Sequence, residues 1–314
     1  MANLNISFVK SFCTDITGNI SSSFIFNGVS TESKEVMEGN LFIPLKDEGG
    51  NEKKEVLEAI KNGAAALIWS KERAIPEDLP DSFPVFWVED IKQTIQKMAK
   101  RYMEEVDPTV IAVTGGEDKA ITKELIAATL KKNYHVHTTS QSKSPWMDLC
   151  LGVLNMDAHT NVFIGEYGSH TQGDISKLSH LIEPNIAVIT SIQQDEQEGN
   201  KSPEVILEEF SSIESGMRPS AVLVLDGDNT QLFNKEWKTD TVFCGFSHHS
   251  LFQIQSLQEE NEYIHFELKG VHMPFTLHKQ WKQFIKNAVF GIAIAVHLGV
   301  LPDEMLASLK EYKK

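Results

Sequence analysis

Val110-Ile111-Ala112-Val113-Thr114-Gly115-Gly116-Glu117-Asp118-Lys119-Ala120 is an apolar run that breaks at a double glycine and leads into a helical pattern from Lys119 to Lys132. The run reads as a buried strand and the glycines as a sharp turn. A buried strand that ends in Thr-Gly and opens into a helix is the setting of a phosphate-binding loop. Backbone N–H groups and the positive end of the helix attract anions there. Such a unit also implies its neighbours, because a parallel strand needs a helical crossover to the next one.

Those neighbours can be read outward from the loop. Downstream, strand-like runs at Tyr134 to Thr138, Val162 to Gly165, Ile186 to Thr190 and Ala221 to Leu225 are spaced for intervening helices. This alternation argues for a doubly wound, mainly parallel sheet. Period-2 stretches at Leu251 to Gln255 and Tyr263 to Leu268 suggest an antiparallel extension, followed by a helix from Trp281 to His297. Upstream, strand patterns at Leu41 to Leu45, Ala65 to Trp69 and Val85 to Val88 surround a helix at Lys53 to Asn62, with another from Ile91 to Glu105. The helix before Ala65 stops at Asn62-Gly63, where glycine supplies the left-handed turn. The expected fold class is therefore α/β: a small N-terminal α/β domain over residues 1–107, and a P-loop-type, doubly wound, mainly parallel sheet over residues 108–314.

Composition supports two globular domains: 314 residues, 41% hydrophobic and 9% aromatic, can supply a core for each. With 29 Lys plus Arg against 44 Asp plus Glu, the net charge of -15 argues against nucleic acid as a partner. Lysine pairs such as Lys53-Lys54 and Lys131-Lys132 sit among carboxylates and read as solvated faces. Cys13, Cys150 and Cys244 show neither disulfide nor zinc spacing, which fits a reducing cytoplasm. The N-terminus lacks a continuous apolar region, and Ala288 to Val300 is too short to span a bilayer, so neither secretion nor membrane insertion is expected.

The complete loop pattern, G-x-x-x-x-G-K-[ST], gives each position a task. The second glycine lets the backbone wrap phosphates, the lysine reaches the β- and γ-phosphates, and the hydroxyl holds magnesium. Those positions are Asp118, Lys119 and Ala120 here. A carboxylate about 4 Å from a phosphate charge repels it by roughly 4 kcal/mol at an effective dielectric near 20. That would weaken a nucleotide site about a thousandfold, and Glu117 adds a second negative charge. Thr122 stands two residues beyond Ala120 as a substitute hydroxyl. Taken alone, the segment is equally compatible with a plain strand-turn-helix corner.

Thr114-Gly115 through Thr122-Lys123-Glu124 resembles the T-G-S-N-G-K-T-T-T-K-E loop of the Mur ligase family, in the MurF-type branch that joins D-alanyl-D-alanine to UDP-MurNAc-tripeptide. Gly28-Val29-Ser30-Thr31-Glu32-Ser33-Lys34, Gly39 to Leu45 and Asn62-Gly63-Ala64 are similar to signatures of the family's uridine-nucleotide-binding domain. Gly165-Glu166-Tyr167-Gly168, Gly173 to Leu178 and Glu183 to Thr190 resemble segments of its central domain. The resemblance implies nucleotide-binding positions at Thr114, Gly115, Gly116, Lys119, Thr122 and Asn287, UDP-substrate positions at Ser30, Thr31 and Ser33, and metal ligation by Glu166. It also implies Mg-ATP as the family's cofactor and a UDP-MurNAc-peptide or a cell-wall-pathway protein as partner.

Most departures from the family pattern fall on the ATP and metal positions. Ser191 and Glu196 stand where the family has an Asn and a metal-binding His, so Glu196 is a weaker oxygen ligand at most. Phe210 takes the place of the carbamylated lysine that bridges the metals. Gln283 replaces the adenine-side His, with Asn287 kept. Ser144-Pro145 falls on the paired Asn of the substrate side, and Asn51-Glu52-Lys53 on the D-G-H of the first domain. The chain also stops near Lys314, where the family's linker into a third domain begins, so ligation by this chain alone is not expected. Together these losses predict a catalytically impaired pseudoenzyme serving as a binding or regulatory module. An active ATP-dependent amide ligase with a variant site is the alternative, and a carbohydrate- or nucleotide-binding protein outside the pathway is a third reading without positive support.

The remaining motifs read as structure. His135 and His137 alternate on a strand, and His248-His249 has no third ligand at metal spacing. Asp226-Gly227-Asp228-Asn229 has the composition of a turn. Trp69 and Trp87 fall in strand patterns, and no Gly-x-Ser-x-Gly supports a serine nucleophile.

Overall fold

The computed structural model describes residues 2, 4–45, 52–140, 144–192, 202–271 and 273–312. The chain forms two compact units: Met1–Asp107 with Cys150–His159, and Pro108–Leu149 with Thr160–Lys314.

In the first unit the elements run β1 (Leu4–Asn5), α1 (Ile6–Lys10), β2 (Asp15–Thr17), β3 (Ile25–Phe26), β4 (Val29–Ser30), β5 (Leu41–Phe42), α2 (Glu52–Lys61), β6 (Ala66–Ser70), β7 (Val85–Val88) and α3 (Ile91–Val106). The main sheet has the order β2-β7-β6-β5-β4, parallel except for β2 against β7. Phe42, Val56, Leu67, Trp69 and Val85 form its buried apolar cluster. Trp69 is thus a core residue, and its indole N–H donates to the Arg73 carbonyl. Asn155, from the segment that packs with this unit, accepts from Val29 N–H at 2.8 Å and donates to Val29 O at 3.0 Å. A side-chain amide thereby satisfies both backbone groups of one edge-strand residue.

The second unit contains β8 (Thr109–Thr114), α4 (Lys119–Leu130), β9 (Val136–Thr138), α5 (Pro145–Asn155, its later residues belonging to the first unit), β10 (Val162–Glu166), α6 (Asp174–Ile182), β11 (Ile186–Ile189), α7 (Pro203–Ser211), β12 (Val222–Asp226), α8 (Thr230–Asn234), β13 (Asp240–Gly245), β14 (Phe252–Glu260), β15 (Tyr263–Leu268), β16 (Phe275–His278), α9 (Ile285–His297) and α10 (Pro302–Glu311). Its sheet order is β16-β15-β14-β13-β12-β11-β8-β10-β9. The strands from β9 to β14 are parallel, and β15 and β16 continue antiparallel. This is the expected mixed α/β architecture with a parallel-dominated central sheet.

The expected helix from Trp281 begins later than its pattern suggests. Lys279–Phe284 winds as a 3-10 turn, and α9 starts at Ile285. From Ala288 to Ala295 α9 is buried on nearly every side. It packs on α4 through Leu125, Ile126, Val289 and Phe290 in one apolar cluster. Gly291 permits this close approach, because a Cβ there would meet Thr129 Oγ1 at 2.9 Å and Ile126 Cα at 3.4 Å. Burying side chains of this kind contributes about 1.5–3 kcal/mol each, so the α4–α9 contact fixes where the first turn of α9 lies relative to the loop before α4. Among the described residues no helix is long and apolar enough to cross a membrane.

Candidate functional site

The chain leaves β8 toward β9 and later returns on the other side of β8 as β11. The crevice beyond the carboxyl ends of β8 and β11 is therefore a topological switch point, the place where open parallel sheets bind ligands. A cleft of about 700 Å³ lies there, lined by the loop before α4, by Thr190 and Ser191 beyond β11, by Asp226 at the end of β12, and by Trp281, Phe284, Lys286 and Asn287.

The loop is built on Gly115. Its φ of +130° and its neighbours leave no room for a side chain, since a Cβ would stand 2.3 Å from Thr190 Oγ1 and 2.9 Å from Thr190 N. Lys119 is buried, and its ammonium turns back on the loop, donating to the carbonyls of Gly115 and Gly116 at 2.8 Å each. Asp118 Oδ1 accepts from Thr190 Oγ1 at 2.5 Å and Oδ2 accepts from Asn287 Nδ2 at 2.6 Å. Thr122 is fully buried; its hydroxyl donates to Asp118 O and accepts from Asn287 Nδ2, both at 2.7 Å. Thr114 closes β8 with its hydroxyl buried and without a hydrogen-bond partner among the described residues. The positions Thr114, Gly115, Gly116, Lys119, Thr122 and Asn287 thus come together at the switch point.

The charge of the cleft is set by four carboxylates, Glu117, Asp118, Glu124 and Asp226, against one cation, Lys286, among the described lining residues. Lys286 Nζ lies 2.7 Å from Asp226 Oδ2 and 3.4 Å from Asp228 Oδ2. Burial holds Asp226 above the ordinary carboxylate range despite the pull of Lys286. Burial also raises Asp228, but the N–H groups of Phe246 and Ser247, with Lys286, outweigh it and leave Asp228 below that range. Glu124 accepts from the Tyr312 hydroxyl at 2.7 Å. The segment read as a turn, Asp226 to Asn229, does turn, with Asp228 N–H bonded to Asp226 Oδ1, and its first residue also belongs to the cleft. The position of Asp226 at the carboxyl end of a parallel strand is the signal that marks it. Trp281 and Lys286 had no comparable local mark.

Glu166 ends β10, where its carboxylate has Lys123 Nζ 3.6 Å away; that ammonium also donates to Thr139 O at 2.7 Å. Phe210 is core, buried in α7. Its neighbour Glu209 is buried and accepts from Gly173 N–H, Ile175 N–H and Ser169 Oγ, holding the start of α6. Glu196 lies outside the described residues, as does Asn51. Among the described residues no group of three or more His, Cys, Asp and Glu is placed to hold a metal.

Ser30, Thr31 and Ser33 belong to the first unit. The buried Ser30 hydroxyl donates to Glu32 O at 2.9 Å. The buried Ser33 hydroxyl donates to Glu58 Oε2 at 2.6 Å. Both hydroxyls therefore have partners within the domain.

The sheet order, the switch-point cleft and the glycine loop before α4 define a doubly wound α/β fold with a P-loop-type corner, and comparison with known proteins gives its family. The Mur ligase middle domain matches residues 113–295. The chain belongs to the Mur ligase family. It is 32% identical over 289 residues to the UDP-N-acetylmuramoyl-tripeptide--D-alanyl-D-alanine ligase of Bacillus subtilis strain 168, covering 92% of this chain and 62% of that protein. It is 24% identical over 320 residues to the ligase of the same name from Escherichia coli strain K12, covering 98% of this chain and 69% of that one. The chain thus spans less than two thirds of the Bacillus relative. In fold it is similar to MurF from Acinetobacter baumannii, with TM-score 0.80, 18% identity, and 99% of this chain and 69% of that chain covered. It is also similar to the MurF ligase of Thermotoga maritima in complex with ADP, with TM-score 0.74, 23% identity, and 91% and 66% covered.

Proposed function

We propose that this chain is a MurF-like member of the family, related to peptidoglycan precursor synthesis, in which the nucleotide cleft no longer supports ATP chemistry and the fold serves as a binding or regulatory module. Asp118 is the observation that carries this reading. A magnesium triphosphate needs an anion-accepting loop, a lysine that reaches outward and oxygen ligands for the metal. In this cleft a carboxylate stands in the loop, Lys119 is bonded to its own loop carbonyls, and Thr122 is engaged on both sides of its oxygen. Ala120 has no hydroxyl, and Lys123 rather than open space faces Glu166. The residues present do not suit Mg-ATP.

On this reading residues 1–107 form a UDP-substrate-type domain, with Ser30, Thr31 and Ser33 at its signature, and residues 108–314 an ATPase-type domain, acting in the cytoplasm on a UDP-MurNAc-peptide or a protein of the same pathway. The alternative is an ATP-dependent amide ligase joining D-alanyl-D-alanine to UDP-MurNAc-tripeptide through a variant site. Retention of Lys119 and Glu166 is what favours it. Thermal-shift titration separates the two. A ligand at about 100 times its dissociation constant stabilises by roughly 2.7 kcal/mol. The module reading expects a shift with UDP-MurNAc-tripeptide and none with millimolar Mg-ATP; a clear Mg-ATP shift overturns it.

A further inference from the structure

Aspartate is favoured at a helix N-cap because its carboxylate accepts from the free N–H groups of the first turn. Asp118 is the N-cap of α4 and makes no such bond. Its carboxylate reaches two other elements instead. Oδ1 takes the Thr190 hydroxyl at 2.5 Å and the Ser191 hydroxyl at 3.4 Å, just past β11, and Oδ2 takes the Asn287 amide at 2.6 Å, in the first turn of α9. The second proton of that amide goes to Thr122 Oγ1, whose own proton goes to Asp118 O. The result is a closed ring of hydrogen bonds from side chain to side chain and back to the backbone of Asp118.

We propose that Asp118 is an internal clamp: a resident carboxylate that ties together the loop, the end of β11 and the start of α9, and so holds the cleft in one arrangement without a ligand. A ligand lodged between these elements would stabilise them only while bound, by an amount that grows with the logarithm of its concentration. A carboxylate on the chain does so always. Bonds to an ionised acceptor are stronger than neutral ones, and removing the acceptor leaves Asn287, which is buried, with an unmatched proton. The clamp concerns the ligand-free protein, so it stands or fails separately from the proposal about ATP.

The test is a double-mutant cycle on the ligand-free full chain with Asp118→Ala, Thr190→Val and the pair, read by thermal unfolding and amide hydrogen exchange. Each single substitution is expected to lower the melting midpoint by several degrees, and the pair to fall no further than the deeper single. Exchange should quicken roughly tenfold at 189–192 and 285–289 and stay unchanged in β10. Additive losses, an unchanged midpoint or exchange at the wild-type rate would overturn the clamp. Should Asp118→Ala fail to fold, Asp118→Asn keeps an acceptor for Thr190 and sets an amide against Asn287. Quickened exchange confined to the first turn of α9 then supports the clamp, and a uniform increase across the sheet refutes it.

Discussion

Asn287 Nδ2 stands 2.6 Å from Asp118 Oδ2 and 2.7 Å from Thr122 Oγ1, so a side chain from α9 places both amide protons on α4 and its N-cap. Lys119, one residue further, faces the carbonyls of Gly115 and Gly116. The side chains of Asp118, Lys119, Thr122 and Asn287 all find partners within this corner, which is the usual condition for burying polar groups, while the Thr114 hydroxyl finds none among the described residues. The consequences can be measured.

Gly115 is where the backbone tolerates least. Gly115→Ala combines a φ of +130° with a Cβ 2.3 Å from Thr190 Oγ1. We expect a loss of about 3 kcal/mol or more, seen as a lower urea midpoint with the slope of the transition unchanged.

Lys286→Met should make stability depend more steeply on pH. Burial already raises the folded-state pKa of Asp226 against the pull of Lys286. A raised folded value means that the group's contribution is complete below its unfolded pKa and is lost as pH rises through the folded one. Without the lysine that value climbs further. Relative to wild type, the loss should be small near about pH 4 and on the order of 2 kcal/mol near about pH 7, measured by urea unfolding across that range. An equal loss at both ends would show that Lys286 acts through packing or through Asp228 rather than through Asp226.

Glu209 replaces a local cap for α6. The N-cap, Gly173, offers no side chain, and Glu209 accepts its N–H at 2.6 Å and that of Ile175 at 3.0 Å. Glu209→Ala should cost about 2–3 kcal/mol, and Glu209→Gln, which keeps one oxygen, roughly half of that. Amide exchange at Gly173 and Ile175 is the local readout.

The thiols should be inert in the native protein. Burial pushes Cys13 and Cys150 up to about 12 and Cys244 up as well. A disulfide exchange reagent at pH near 8 should react slowly until denaturant is added, because the thiolate is the reacting form. Rapid native labelling of Cys150 would contradict this.

The loop and its strand and helix were legible because local signals agree: β-branched residues into Thr114, glycine at Gly115, and a helix starting at Lys119 as expected. Val85–Val88 and Tyr263–Leu268 also fall at their expected residues, being short runs with clear boundaries. The start of α9 was less legible, since Trp281 and Phe284 satisfy an apolar helical period that a 3-10 turn takes up instead. Asp118 reads in sequence as a carboxylate opposing a phosphate. Its partners, Thr190 and Asn287, lie 72 and 169 residues away. Only the placement of β11 beside β8 and of α9 over α4 brings them together, and no local pattern encodes that. The hydroxyls of Ser30 and Ser33 were legible as a signature, but their acceptors on Glu32 and Glu58 were not.

Whether Asp118 and Ala120 close this cleft to nucleotide is decided by equilibrium dialysis of labelled ATP with magnesium against the wild-type chain, beside an Asp118→Gly/Ala120→Thr variant. No saturable binding to the wild type is expected up to millimolar ATP. Saturable binding of the wild type at micromolar ATP would contradict that expectation.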